Sequence, residues 1–134
     1  MPPFRHRLRV RYQECDPQGV VFNANYLAYF DMGITELWRE ALGGHEAMEA
    51  RGLDLVVAEV RIRYLTPLRF DDEFDVLVSV AEVGKTALHT RMTAERGAET
   101  AAEGELRHVF VDEGSHEKAP IPDDFRAALD AYAG

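Results

Sequence analysis

The chain of 134 residues has a single cysteine, Cys15. One thiol closes no internal disulfide. A chain without disulfides suits a reducing compartment, so a cytoplasmic location is expected. Positive charge is also scarce: 15 Lys and Arg stand against 24 Asp and Glu, a net charge of −9. That balance argues against nucleic acid as a partner and against adhesion to anionic lipid, while leaving room for a local basic patch. There is no long apolar run. The N-terminus, Met1 to Arg11, holds four arginines and reads as neither signal peptide nor membrane span. The five histidines, His6, His45, His89, His108 and His116, show no ligand spacing such as His-x-x-x-His, so no metal is expected. Phosphate-binding glycine loops, a serine elbow and nucleotide fingerprints are missing too. With no repeat, low-complexity tract or linker, a single domain over 1–134 is expected.

What is present is strong periodicity. Phe4, His6, Leu8, Val10 and Tyr12 alternate with Arg5, Arg7, Arg9 and Arg11. A period of two predicts a strand with one buried face. Asp16-Pro17-Gln18-Gly19 then breaks the pattern as turn residues do. Either Asn23 or Asn25 is placed to cap a helix. Leu27, Phe30, Ile34, Leu37 and Ala41 follow at spacings of three and four, and Tyr26, Tyr29, Met32, Gly33 and Trp38 widen the apolar surface. A helix apolar on most sides is expected to be buried. Gly43-Gly44 ends it, and a short helical piece is expected from His45 to Arg51.

Four strand-like segments come next: Leu53 to Thr66, Glu73 to Val83, Thr86 to Arg96 and Thr100 to Asp112. Gly84 and Gly97 sit where hairpins want them. Ile121-Pro122-Asp123-Asp124 starts a short terminal helix ending near Tyr132. One helix followed by hairpin-linked strands predicts an α+β fold with an antiparallel sheet. A sheet curled around the helix explains why that helix is apolar nearly all round.

The stretch from Tyr12 to Tyr26 holds the chemistry. It sets a carboxylate, Asp16, and Gly19 a few residues before a helix N-terminus. Free backbone N–H groups there, at the positive end of the helix dipole, stabilise an anion. Attack on a thioester carbonyl makes one, and a nearby carboxylate can attack directly or activate water. On spacing alone, the same residues also read as a simple turn with Asn25 as cap.

Glu14-Cys15-Asp16-Pro17-Gln18-Gly19-Val20-Val21, continuing to Asn25-Tyr26 and Tyr29-Phe30-Asp31, resembles the 4-hydroxybenzoyl-CoA thioesterase family, which includes the acyl-CoA thioesterases linked with the Tol–Pal cluster. Tyr64 to Asp72 and Ala119 to Pro122 are similar to other parts of that family. The resemblance implies a hotdog fold, a five-stranded antiparallel sheet wrapped around one long central helix. It implies homodimers or homotetramers with active sites at the dimer interface, an acyl-CoA substrate, and no cofactor beyond the coenzyme A of that substrate. Asp16 matches the catalytic carboxylate, the backbone N–H of Asn23 matches the group that polarises the carbonyl, and Gly19 shapes the approach. Val20, Val21 and Tyr26 of the same motif are expected to bind substrate. The chain departs from the family at Asn23, where many members carry histidine or tyrosine. A backbone donor survives that change, but Asn exchanges no proton near neutral pH.

In the resembling enzymes the neighbourhood of Lys85 supplies cations to the CoA phosphates. Lysine suits phosphate, though it equally suits a solvated hairpin. Arg61 and Arg63 share one strand face and either line a nucleotide site or face water. Glu36, on the central helix, is the rival carboxylate, because other hotdog branches place theirs there. Asp31 is a candidate for an interfacial hydrogen bond. Cys15 has no assignable histidine to activate it and reads as buried filler. Three activities compete: hydrolysis of a CoA thioester, hydration or dehydration of an enoyl-CoA, and acyl-thioester binding without catalysis. Hydration wants a histidine close after the aspartate, and none is there.

Overall fold

The structure, a computed structural model, describes residues 2–134; of the domain expected over 1–134, Met1 lies outside the described residues. The elements are β1 (Phe4–Arg9), α1 (Asn25–Leu42), α2 (His45–Glu49), β2 (Leu53–Tyr64), β3 (Glu73–Val83), β4 (Ala87–Arg96), β5 (Glu99–Asp112) and α3 (Asp123–Asp130). All strands pair antiparallel in the order β1-β3-β4-β5-β2. This is the hotdog arrangement implied above, with β1 and β2 as the edges and α1 across the inner face.

Strand alternation builds the core. On β1 the arginines face outward, and Arg5 and Arg7 close over Asp75 at 2.6 and 3.1 Å. That pair of cations lets a nearly buried carboxylate sit in β3, and the hydrogen bond from Arg7 is the main reason its pKa falls below the usual range. Phe74, Val76, Val78 and Val80 point inward from β3 toward Phe30, Ile34 and Leu37 of α1. Each such side chain contributes about 1.5–3 kcal/mol by leaving water. The helix and the sheet approach closely at two glycines: a Cβ on Gly33 of α1 would stand 2.6 Å from Val76 Cγ1 of β3, and Gly104 of β5 lies under Phe30. A Cβ built on Gly104 would stand 2.8 Å from the Phe30 ring and 3.0 Å from the Arg61 carbonyl oxygen, so only glycine lets α1 lie this low.

Some expectations shift. Neither Asn23 nor Asn25 caps α1; Ala24 holds that position with no side-chain bond, because the Asn25 amide donates instead to the Glu14 carbonyl. Nor does the sheet enclose α1 fully. Leu27 and Met32 stay exposed on the flank the five strands do not reach. The terminal helix stops at Asp130, two residues short of Tyr132. Cys15 is half-buried rather than buried.

Edge strand β2 is the least covered part. Its residues Val57, Val60, Ile62 and Tyr64 pair with inward-facing His108, Leu106, Gly104 and Ala102 of β5, and so share their face. Yet Val57 is 50% and Tyr64 53% exposed.

His108 itself is only 3% exposed, edge-on to Trp38, and its Nδ1 has no hydrogen-bond partner among the described residues. Burial pushes the imidazole pKa down, and Asp31 only partly counters this. Below the ordinary histidine value the unfolded chain therefore binds a proton that the folded chain refuses. Stability from this residue is complete above about pH 6.5 and is lost as pH falls below it. Urea unfolding compared between about pH 7.5 and 5.5 should show a loss in the wild type that His108→Gln lacks. Parallel losses in both proteins would mean that His108 is protonated as easily folded as unfolded.

Candidate active site

The segment joining β1 to α1 is a compact loop held by its own backbone. A 3₁₀ turn, Tyr12–Glu14, follows β1. Asp16 then starts a tight turn in which its carbonyl accepts the Gly19 N–H at 2.9 Å and its Oδ1 accepts the Gln18 N–H at 2.8 Å. Such a turn is the ordinary preference of an Asp two residues before its acceptor-seeking N–H. Asp16 N–H donates to Val20 at 2.9 Å, and Val21 N–H donates to Leu68 at 2.8 Å, so Val20 and Val21 lie beside the Leu68–Arg69 stretch after β2.

From the other side, α1 begins. Its first N–H groups are used locally: Asn25 donates to Phe22 at 2.9 Å and Tyr26 to Asn23 at 3.3 Å. No described residue accepts from the backbone N–H of Asn23 or of Ala24. Free donors at the positive end of an 18-residue helix form a site for negative charge. The Asn23 carbonyl is fixed by the Tyr64 hydroxyl at 3.1 Å, and the Tyr64 ring stands edge-on to Tyr26, with centroids 5.3 Å apart. Burial pushes the Tyr26 hydroxyl pKa up, and this phenol accepts the Leu68 N–H at 3.3 Å.

The result is one groove of about 290 Å³ lined by Asp16, Val20, Val21, Asn23, Tyr26 and Tyr64. Five residues expected to serve the site thus meet in one place. Gly19 and Asp16 also line a neighbouring opening of about 440 Å³ with Tyr12 and Phe70. Tyr64 is a further residue of the groove, to which the sequence alone assigns no role. Its signal was an aromatic at the end of a strand, just before Thr66-Pro67, where the chain must turn back toward the loop.

Besides Gly19, which lines the neighbouring opening, three expected residues are not in this groove. Lys85 lies in the β3–β4 hairpin, exposed, with its carbonyl accepting the Ile121 N–H at 2.8 Å. β3 starts beside the loop and runs 11 residues away from it, so Lys85 is about 30 Å distant along the strand of the same chain. Arg61 and Arg63 point outward from β2, toward Glu105 at 3.7 Å and Glu103 at 2.7 Å. With Arg91 they line a separate opening of about 350 Å³ on the sheet face opposite α1. The rival Glu36 lies three turns along α1 and pairs with Arg39, whose hydrogen bond holds its pKa down. Among the described residues no group of three or more His, Cys, Asp or Glu is placed to hold a metal ion. No helix there is long and apolar enough to cross a membrane.

Gly19 adopts φ +80°, and a Cβ on it would meet nothing within 4 Å. The demand for glycine is therefore conformational, not steric. Gly19→Ala should cost about 1–2 kcal/mol of unfolding free energy, and Gly19→Asn less, since Asn visits the left-handed region more readily. Urea denaturation measures both. An alanine variant as stable as wild type would show that the turn does not require this backbone.

Comparison with known proteins places the chain. The Thioesterase-like superfamily matches residues 10–129. The acyl-CoA thioester hydrolase YbgC of Escherichia coli is 31% identical over 85 residues, which span 63% of this chain and 63% of that protein. The acyl-CoA thioesterase YbgC of Haemophilus influenzae is 27% identical over 127 residues, 94% of this chain and 93% of that one. Among solved structures, a hypothetical protein from Thermus thermophilus is 32% identical and superposes with a TM-score of 0.87 over 96% of this chain and 98% of that one. Because the superfamily match runs over residues 10–129, nearly the whole sequence, the chain belongs to the Thioesterase-like superfamily.

Proposed function

We propose that the protein hydrolyses acyl-CoA thioesters to a free acid and coenzyme A, with Asp16 as the catalytic carboxylate and the N-terminus of α1 as the group that polarises the carbonyl. Superfamily membership and the activities named for the YbgC relatives support the reaction class. The observation that supports the roles is geometric. Asp16 lines the same groove as Asn23, whose backbone N–H has no acceptor among the described residues.

A thioester carbonyl seated there receives a hydrogen bond from the Asn23 N–H, which strengthens as the oxygen gains negative charge. The Asp16 carboxylate attacks the carbonyl carbon or takes a proton from the water that does. When water attacks, the C–S bond breaks and the acyl group keeps the water's oxygen. When Asp16 attacks, the C–S bond breaks to leave a mixed anhydride on Asp16, which water then cleaves to the free acid and the restored carboxylate. In both cases the thiolate leaves and is protonated in water. Gly19 keeps the turn beside the carboxylate free of side chain. Val20, Val21 and Tyr26 present an apolar wall to the acyl end. Asn23 acts through its main chain.

The nucleotide end needs cations, because the protein as a whole carries −9 and repels phosphate at long range. Lys85, Arg61 and Arg63 are the proposed sources. Lys85 is too far from Asp16 in its own chain and so serves the site of a partner copy. That fits a homodimer or homotetramer, in which the exposed Val57, Val60 and Tyr64 flank of β2 is covered. The working picture is a cytoplasmic enzyme with no cofactor apart from the coenzyme A of its substrate.

Thiol release from an acyl-CoA panel, followed with a chromogenic disulfide, tests the proposal. Asp16→Asn keeps the size and most hydrogen bonds of the side chain but loses its charge. It should lower kcat by about 10²–10⁴-fold, with an unchanged unfolding midpoint. Near wild-type turnover in this variant would remove Asp16 from the mechanism. No thiol release from any acyl-CoA by the wild type would remove the activity.

A further inference from the structure

Four hydrogen bonds converge on Glu14, a residue the mechanism above does not use. Its Oε1 accepts the Arg11 N–H at 2.7 Å and the Tyr29 hydroxyl at 2.8 Å. Its carbonyl accepts the Phe22 N–H at 2.9 Å and the Asn25 side-chain amide at 2.8 Å. Asn25 and Tyr29 are four residues apart, hence on one face of α1. The helix therefore grips Glu14 twice, once through its main chain and once through its carboxylate. A single bond would leave the loop free to pivot. Two bonds from one rigid helix face fix both its position and its orientation.

The ends of the gripped segment matter. The bond from Phe22 to Glu14 closes a loop over residues 14–22, which contains Asp16 and leads directly into Asn23. Tyr29 is 2% exposed, so solvent competes little for its bond to Glu14. Burial and the neighbouring Glu14 push its pKa up, so it stays a proton donor to Glu14 throughout the working range. We propose that Glu14 is a positioning residue, which sets the distance between the Asp16 carboxylate and the Asn23 N–H by being held at two points of α1. The proposal rests on the catalytic reading of Asp16 given above. Misplacing reacting groups by about 1 Å costs on the order of 10²-fold in rate, so a clamp here controls turnover rather than affinity.

Acyl-CoA hydrolysis by the full chain, with kcat and KM separated and urea midpoints measured alongside, tests it. Tyr29→Phe keeps the buried ring and removes one bond; kcat should fall about tenfold with KM little changed. Glu14→Ala should fall further, by about 10²-fold. Glu14→Gln retains an oxygen that accepts both bonds and should restore most of the wild-type kcat. In an Asp16→Asn background, Glu14→Ala should cost almost nothing more, because there is no carboxylate left to position. Tyr29→Phe answers the question even if Glu14→Ala does not fold. Should Tyr29→Phe keep wild-type kcat while Asp16→Asn is inactive, Glu14 does not position the carboxylate. A Glu14→Ala loss of equal size in both backgrounds would overturn the proposal in the same way, leaving a fold contact only. If Asp16→Asn itself kept wild-type turnover, the catalytic reading and this inference would fall together.

Discussion

How low helix α1 lies on the sheet decides where its N-terminus emerges, and two close contacts through glycine, Gly33 with Val76 and Phe30 with Gly104, set how low it lies. A side chain at Gly104 would lift the helix by pressing on both the ring and the Arg61 carbonyl of the neighbouring strand. The same packed layer of Phe74, Val76, Val78 and Leu37 stops the helix from sliding. With α1 fixed, Asn25 and Tyr29 present their polar ends at a set height, and the loop from β1 attaches to them through Glu14. The carboxylate and the helix donors are thus brought together by the core, not by any bond between them.

This division explains a mismatch in burial. The groove is open and the Asp16 carboxylate half-buried, while Tyr29, Phe30 and Val21 beneath the loop are buried. Rigid support under an accessible loop is what a site for a large ligand requires. The outer face of the sheet follows different rules. There Arg5, Arg7 and Arg9 pair with Asp71, Glu73 and Asp75, and Arg61 and Arg63 with Glu105 and Glu103. Apart from those to the nearly buried Asp75, these are exposed pairs and contribute little to stability, about 0–1 kcal/mol each. They do keep the arginines extended and accessible on a strongly acidic protein.

Much of the fold could be read along the chain because its signals are local. The alternation in β1 is the alternation of a core face and an ion-paired face. The bounds of β3 at Glu73 and Val83 follow from acids before it and Gly84 after it. Asp16, Val20, Val21, Asn23 and Tyr26 gather because they share one loop and helix start. What escaped depended on contacts distant in sequence. Asn25 does not cap because a carbonyl eleven residues earlier claims its amide. Tyr64 reaches Asn23 only because a bulge between Val57 and Glu59 sets the β2 register. The exposure of Leu27 and Met32 reflects how far five strands can reach around a helix, which no local pattern encodes. Lys85 falls far from Asp16 because β3 runs straight away from the loop.

The central claim is that Asp16 and the free N–H at the start of α1 act on one carbonyl. A crystal structure with an acyl-CoA analogue whose sulfur is replaced by methylene, giving an uncleavable ketone, tests this most directly. The account predicts the ketone oxygen about 3 Å from the Asn23 nitrogen, with an Asp16 oxygen about 3–3.5 Å from the carbonyl carbon or joined to it through one water. A ketone bound beyond reach of Asp16, for instance on the outer face beside Arg61 and Arg63, would contradict it.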